Sequence, residues 1–365
     1  MRVGRGVSID RREKLIVLPH NLGVGCPQRF RLAARGRAGL KGPLSVALCA
    51  LLLAGCSPGA TADPLRPPLT DRGNIQLPKE VSQPSFDLVT LDPRVGRLYL
   101  SHSSVDALEV VDVQARKLVG SVTGLIGIKA IALSKDPKVV FTSNSDGTVA
   151  VVDVPGLKVV KRVAVGRSPD AIEYDPAHDV ILVALAADKK VAFIDPTTQV
   201  VVGTMALPGA PELMDINEKA GVVYLAIHDL SEVVVIDPVT RSIVKTLKGC
   251  DISKPTGVAY DPDQNLLFVA SSGALSVIDV LIEQCRGAVD IGHGTDQIAF
   301  NPHTHHVYTA DGGSRYLSVV DTVSLKPLGV IGTGPEAATL AVDPTTDLVY
   351  VMVARAGIVA IYHDP

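Results

Sequence analysis

The chain has 365 residues, 47% of them hydrophobic, and it contains no tryptophan. Residues 1–55 hold ten basic and two acidic side chains, so residues 56–365 carry 25 basic against 36 acidic side chains, a net charge of −11. An acidic body disfavours sequence-independent binding of nucleic acid, which depends on neutralising phosphates.

The N-terminal region has the pattern of an export signal. An apolar run of twelve residues, 43–54, follows a basic stretch that contains Arg29, Arg31, Arg35 and Arg37. A basic region, a short apolar region and small residues at a cleavage site are typical of a secretory signal peptide. Residues 1–28 lie upstream of a normal signal, and a misassigned start codon explains them most simply.

The end of the apolar run reads Leu53-Ala54-Gly55-Cys56-Ser57. It resembles the lipobox of bacterial lipoproteins, in which the cysteine becomes the lipidated first residue. The alternative is an ordinary signal peptide with a chance cysteine. We expect removal of residues 1–55, lipidation of Cys56, a tethering linker over 56–73, and anchoring to the outer membrane on its periplasmic side.

A Val/Ile-Asp pair recurs through the rest of the chain at a spacing of 41 or 42 residues. Its acids are Asp112, Asp153, Asp195, Asp237, Asp279 and Asp321. Each repeat contains four apolar runs of strand length, as at 171–176, 180–184, 191–195 and 200–207. Four short strands in a repeat of this length are typical of a β-propeller blade. The regularly placed acids are expected to cap turns.

The number of repeats predicts an all-β, seven-bladed β-propeller of four-stranded antiparallel blades over residues 74–365. The last repeat stops after its third strand, at residues 358–362. We therefore expect residues 74–78 to supply the missing fourth strand and to close the ring, which removes an open sheet edge.

The second strands resemble the YVTN repeat, as in Leu98-Tyr99-Leu100, Val223-Tyr224-Leu225-Ala226 and Val307-Tyr308-Thr309-Ala310. The chain is thus similar to YVTN-repeat, YncE-like propellers. This resemblance implies a seven-bladed ring that is usually exported and has no shared catalytic machinery. Some YncE-like members are described as DNA-binding, which the acidic body disfavours here.

Of the five cysteines, Cys250 and Cys285 remain after signal removal and lipidation. We expect them to stay unpaired, because Cys250 is predicted in a loop between blades and Cys285 at the opposite end of a sheet, and cysteines whose Cα atoms are far apart cannot be bridged.

Candidate site residues come from two loop types that lie on the same face of a propeller: loops between strands two and three, and loops between blades. The first type contributes His102, Asn144, Asp188, His228, Asp229, Asp311 and Arg355. The second contributes Lys129, Asp170, Glu212, Lys254, His293, Asp296 and Glu336. Histidines and carboxylates that converge in this way suit a metal or a cationic ligand. The alternative is a solvated polar rim. His303, His305 and His306 are expected in an exposed turn on the opposite face.

No catalytic residue and no cofactor is predicted. The sequence has no Gly-x-Ser-x-Gly, His-Glu-x-x-His, phosphate-loop or Cys-x-x-Cys-His motif, and propellers that bind quinone cofactors use tryptophan docking motifs that are absent here. We expect a binding or scaffold module of the cell envelope whose partner is an envelope protein, peptide or polymer. Two alternatives stay open: a metal-dependent hydrolase or lyase of the lactonase-like propeller type, and a relative or subunit of an exported redox enzyme, as with amine-dehydrogenase heavy chains.

Overall fold

The computed structural model describes residues 68–78 and 84–365. The predicted signal peptide, lipidation site and most of the linker lie outside the described residues. No described helix is long and apolar enough to cross a membrane. Within residues 68–78 and 84–365 the helices are three single turns of 3-10 type, Ser103–Val105, His228–Leu230 and Ala354–Ala356.

Six blades are each built from four consecutive strands. Blade 1 contains β2 (Val89–Asp92), β3 (Arg97–His102), β4 (Ala107–Asp112) and β5 (Lys117–Thr123). Blade 2 contains β6 (Ile128–Ala132), β7 (Val139–Asn144), β8 (Thr148–Asp153) and β9 (Lys158–Ala164). Blade 3 contains β10 (Pro169–Asp175), β11 (Val180–Leu185), β12 (Lys190–Asp195) and β13 (Val200–Ala206). Blade 4 contains β14 (Pro211–Asn217), β15 (Val222–Ile227), β16 (Glu232–Asp237) and β17 (Ser242–Lys248). Blade 5 contains β18 (Val258–Asp261), β19 (Leu266–Ser271), β20 (Ala274–Asp279) and β21 (Gln284–Asp290). Blade 6 contains β22 (Thr295–Asn301), β23 (His306–Asp311), β24 (Tyr316–Asp321) and β25 (Lys326–Gly332).

Blade 7 combines the two ends of the described chain. It contains β26 (Thr339–Asp343), β27 (Leu348–Val353), β28 (Ile358–His363) and, as its fourth strand, β1 (Thr70–Gln76). In β1, Asn74 lies opposite Ala360, and a bulge precedes it, as in the other fourth strands. The sequence placed this strand at 74–78, whereas the observed strand begins four residues earlier.

The seven blades form a ring of antiparallel sheets, as predicted. Each first strand contacts the first strands of its two neighbours around the axis, and β26 contacts β2. Apolar side chains fill the space between adjacent blades; Phe141 and Val151 of blade 2, for example, pack with Ile172 and Val183 of blade 3. Because both faces of a blade are covered, the second strands are buried along almost their whole length.

Turns capped by aspartate connect third and fourth strands. Asp195 Oδ1 accepts hydrogen bonds from the backbone N–H groups of Thr197 and Thr198, at 2.8 and 2.9 Å. Asp112, Asp237, Asp279 and Asp321 accept equivalent bonds. Among the described residues, Asp153 departs from this pattern, and its carboxylate lies 3.8 Å from Lys158 Nζ. The repeating acids are therefore structural.

The prediction that Cys250 and Cys285 are unpaired is wrong. They form a disulfide, with Cα atoms 5.1 Å apart. The connection between β17 and β18 has nine residues, whereas that between β9 and β10 has four. Residues 249–251 all have positive φ values and turn this longer connection back, so that Cys250 Sγ lies 3.2 Å from the Val277 carbonyl oxygen in β20, beside the strand that carries Cys285.

Candidate functional site

A cavity lies on the ring axis. Its volume is about 500 Å³, and it is lined by first strands of blades 1 to 6. Apolar side chains such as Ile131, Met214 and Ile298 contribute to its wall, together with polar groups that include Glu173, Asp215 and Gln297. Concave sites in which polar groups converge are the usual form of a ligand site.

A group of charged side chains, which we call the axial acid cluster, surrounds one end of the axis. Its members are Asp87, Lys129, Asp170, Glu212 and Asp296, which occupy the same repeat position in five blades. Lys129 Nζ lies 2.8 Å from Asp87 Oδ2 and 3.8 Å from Asp170 Oδ1. Two of the four carboxylates thus pair with the lysine, and the cluster keeps an excess of negative charge when all five groups are ionised.

Crowding alters the ionisation of the axial acid cluster. Burial, together with the charges of Asp170 and Asp296, raises the pKa of Glu212 to about 7. Burial and the charges of Asp87 and Asp170 raise the pKa of Asp296 to about 7. Burial opposes the charged form of Lys129, but the carboxylate of Asp87 and its neighbours outweigh it and raise the lysine pKa. The charge of the cluster therefore changes near neutral pH.

The sequence predicted four members of the axial acid cluster, and the structure brings these four together. Asp87, the fifth, was missed, although it occupies the same position in blade 1 as Lys129 in blade 2. His228 lies at the edge of the cluster, with Nδ1 3.8 Å from Glu212 Oε1.

The other candidate residues lie outside the axial acid cluster and have contacts of their own. Asp229 binds Lys189 at 2.7 Å and accepts a hydrogen bond from the Ala210 N–H. Glu336 and Arg355 form an exposed ion pair at 2.8 Å. Asp188 binds Arg167, Asn144 is buried against Thr142 and Thr148, and Lys254 is exposed.

The remaining candidates, His102, His293 and Asp311, also have different surroundings. His102 is buried, with Nδ1 3.0 Å from Glu109 Oε1 and its ring stacked on Phe86. His293 is exposed, and its backbone N–H donates to Ser314 Oγ. Asp311 is fully buried and accepts a hydrogen bond from Thr295 Oγ1 at 2.6 Å.

No group of three or more His, Cys, Asp or Glu side chains within residues 68–78 and 84–365 is arranged to hold a metal ion. His303, in the exposed turn after β22, and His306, which is half-buried at the start of β23 and not in an exposed turn as predicted, bind carboxylates of blade 7 and its C-terminal end instead. His303 Nδ1 lies 2.8 Å from Asp347 Oδ2, and His306 Nδ1 lies 2.6 Å from Asp364 Oδ2. This turn therefore joins two blades.

Two carboxylates inside the cavity were also missed by sequence reasoning. Burial raises the pKa of Glu173 to about 8, and the charge of Asp215 adds to the effect. Burial raises the pKa of Asp215 to about 6, although it accepts hydrogen bonds from the N–H groups of Tyr260 and Ile216. The equivalent position is small in other blades, as with Ala132, which is the signal that could have identified them.

Gln297 bounds the cavity on the side of blade 7. Its Nε2 donates to the Val89 carbonyl oxygen at 2.9 Å, and its Oε1 accepts from the N–H groups of Val89 and Leu340 at 3.3 Å. One side chain of blade 6 thus bonds to the first strands of blades 7 and 1.

No protein-family profile matches the chain, and no curated protein matches it. Among solved structures, the chain is similar to hydrazine synthase of Kuenenia stuttgartiensis, with a TM-score of 0.69 and 16% sequence identity over 77% of this chain and 96% of that chain. At this identity the likeness shows the β-propeller fold alone.

Proposed function

We propose that this chain is an exported, lipid-anchored β-propeller that acts as a binding module of the cell envelope, and that its axial acid cluster binds a cationic group of its partner. The observation that carries the proposal is the excess of carboxylates at the ring axis, where Lys129 lies 2.8 Å from Asp87 and 3.8 Å from Asp170 and the charges of Glu212 and Asp296 act on the same group. Hydrogen bonds between carboxylates and an ammonium or guanidinium group are among the strongest in proteins. The ligand class is therefore a basic segment of an envelope protein or peptide.

The disulfide between Cys250 and Cys285 supports export. Disulfides persist in oxidising compartments such as the periplasm and are rare where thiols are kept reduced. This feature agrees with the signal-like residues 43–54 and with the resemblance to YVTN-repeat propellers, which are usually exported.

The binding test uses the purified mature protein and a hexalysine peptide as a basic probe. We expect Glu212→Gln combined with Asp296→Asn to weaken binding about tenfold at pH 8, because two charge partners are removed. Asp290→Asn, which removes an exposed carboxylate on β21, is the matched control and should leave binding unchanged. Calorimetry measures both.

Binding should also depend on pH in a fixed direction. Glu212 and Asp296 have raised pKa values of about 7, so they lose charge as the pH falls below 7. The probe should therefore bind more weakly at pH 6 than at pH 8. Equal affinity of the double variant and the wild type would contradict the proposal. Capture of a cofactor-bearing subunit from cross-linked membranes would instead favour the redox-subunit alternative.

A further inference from the structure

The ring perimeter differs between its two halves at one repeat position. This position lies two residues after the repeating aspartate, at the tip of the turn between third and fourth strands. Blades 1 to 3 carry Gln114, Pro155 and Thr197 there, whereas blades 4 to 6 carry Val239, Leu281 and Val323. Leu281 is followed by a second aliphatic residue, Ile282.

These four aliphatic side chains, which we call the apolar arc, project into solvent. Their exposed fractions are 65% for Val239, 70% for Leu281, 55% for Ile282 and 65% for Val323. Exposed valines on the outer strands occur in both halves of the ring and show no such bias, as with Val160 of blade 2 and Val330 of blade 6. Exposed aliphatic residues thus occupy this position at the tips of three adjacent blades, on one side of the ring.

The turn backbone does not require aliphatic residues at this position. The N–H groups of Val239 and Thr197 donate to the preceding aspartate at the same distance, 2.8 Å. The polar residue and the apolar residue therefore occupy equivalent capped turns, and folding of the turn gives no reason for the apolar choice.

The described chain begins next to the apolar arc. An added Cβ on Gly329, in the outer strand of blade 6, would lie 3.2 Å from Pro68, and Leu69 is buried among residues of blades 6 and 7. Twelve positions separate Pro68 from Cys56, a length that reaches at most about 40 Å. A lipid on Cys56 would hold this side of the ring close to the bilayer.

We propose that the apolar arc rests on the lipid surface to which the chain is tethered, so that the ring has a fixed orientation on the membrane. This proposal rests on the lipid anchoring proposed above. A lipid on Cys56 would tether the ring without fixing its orientation, and shallow insertion of exposed aliphatic residues would add a second contact with the membrane. Two basic residues lie near the arc. Lys326 is exposed, and the guanidinium of Arg241 lies over the ring of Phe193 in blade 3. Basic side chains at this edge suit anionic headgroups.

The experiment uses lipidated protein in phosphatidylethanolamine–phosphatidylglycerol vesicles that carry a nitroxide on the acyl chains. Val239→Cys and its matched control Thr197→Cys are each labelled with bimane, since Cys250 and Cys285 are held in the disulfide. We expect quenching by the nitroxide to be at least about threefold stronger at position 239 than at 197, because only the apolar arc enters the interface. Leu281→Cys should match Val239→Cys.

Vesicle flotation separates the two proposals. Protein that floats but is quenched equally at 239 and 197 retains its anchor and overturns the orientation. Protein that fails to float, like a Cys56→Ser control, overturns the lipid anchoring and the orientation with it. A label at 239 that is shielded only after envelope proteins are added assigns the arc to a protein partner and also overturns the proposal.

Discussion

The pKa values of the carboxylates at the turns and of those at the axis shift in opposite directions, although both groups belong to the same repeat. The hydrogen bond from the Ala115 N–H lowers the pKa of Asp112, and the one from the Thr198 N–H lowers that of Asp195. At the axis, burial and like charges raise the pKa values of Glu173, Glu212 and Asp296. The same functional group thus stabilises a turn where backbone amides meet it, and titrates near neutral pH where other acids surround it.

The largest expected effect comes from Glu173→Gln. The pKa of Glu173 is raised from its ordinary value to about 8, so ionisation destabilises the fold as the pH rises between these two values. We expect the variant to be more stable than the wild type by about 2 kcal/mol at pH 9 and unchanged at pH 4. Urea unfolding at the two pH values measures this. A variant that is less stable at pH 9 would contradict the inferred burial of charge.

Lys129→Met removes the cation shared by the axial acids. We expect the substitution to lower the free energy of unfolding by roughly 1.5 kcal/mol at pH 8, a value reduced because the lysine is partly exposed. The loss should shrink at pH 5, where Glu212 and Asp296 are protonated and no longer repel their neighbours. Lys219→Met, at an exposed turn, is the matched control. Equal losses at both pH values would show that the lysine acts through packing alone.

Asp321→Ala tests the turn carboxylates and should have the smallest effect. Burial opposes ionisation of Asp321, but the Ser324 N–H bond outweighs it and lowers the pKa. We expect the substitution to lower the free energy of unfolding by about 1 kcal/mol at pH 7. A group with a lowered pKa loses its contribution as the pH falls through that value, so the difference from the wild type should narrow at pH 3. Asp321→Asn, which keeps the acceptor oxygen, should lower the free energy of unfolding less than Asp321→Ala does.

The sequence predicted the fold because its repeat is local. Five of the six Val/Ile-Asp pairs cap a turn through amides two or three residues away, so strand and turn positions are encoded within the repeat. The candidate site was predicted in part, because the axial acids meet only when the ring closes. Asp87 and Asp296, for example, lie more than 200 residues apart, and no local pattern shows that they share an electrostatic environment.

The disulfide was missed for a related reason. The prediction placed Cys250 in a loop between blades and Cys285 at the opposite end of a sheet, whereas the additional residues of this connection turn back along the next blade. The length of this non-repeating loop determines which two sulfur atoms can meet, and the repeat pattern does not predict that length.

The amide of Gln297 links first strands of three blades at one side of the cavity. Because it is bonded to strands on two other blades, widening the ring at that side would break three hydrogen bonds together. Widening the ring beside Asp215 would break its hydrogen bond from the Tyr260 N–H of the next blade. The ring has seven similar blades, yet polar side chains hold particular first strands together around the cavity, so a guest too large for it would have to break such bonds.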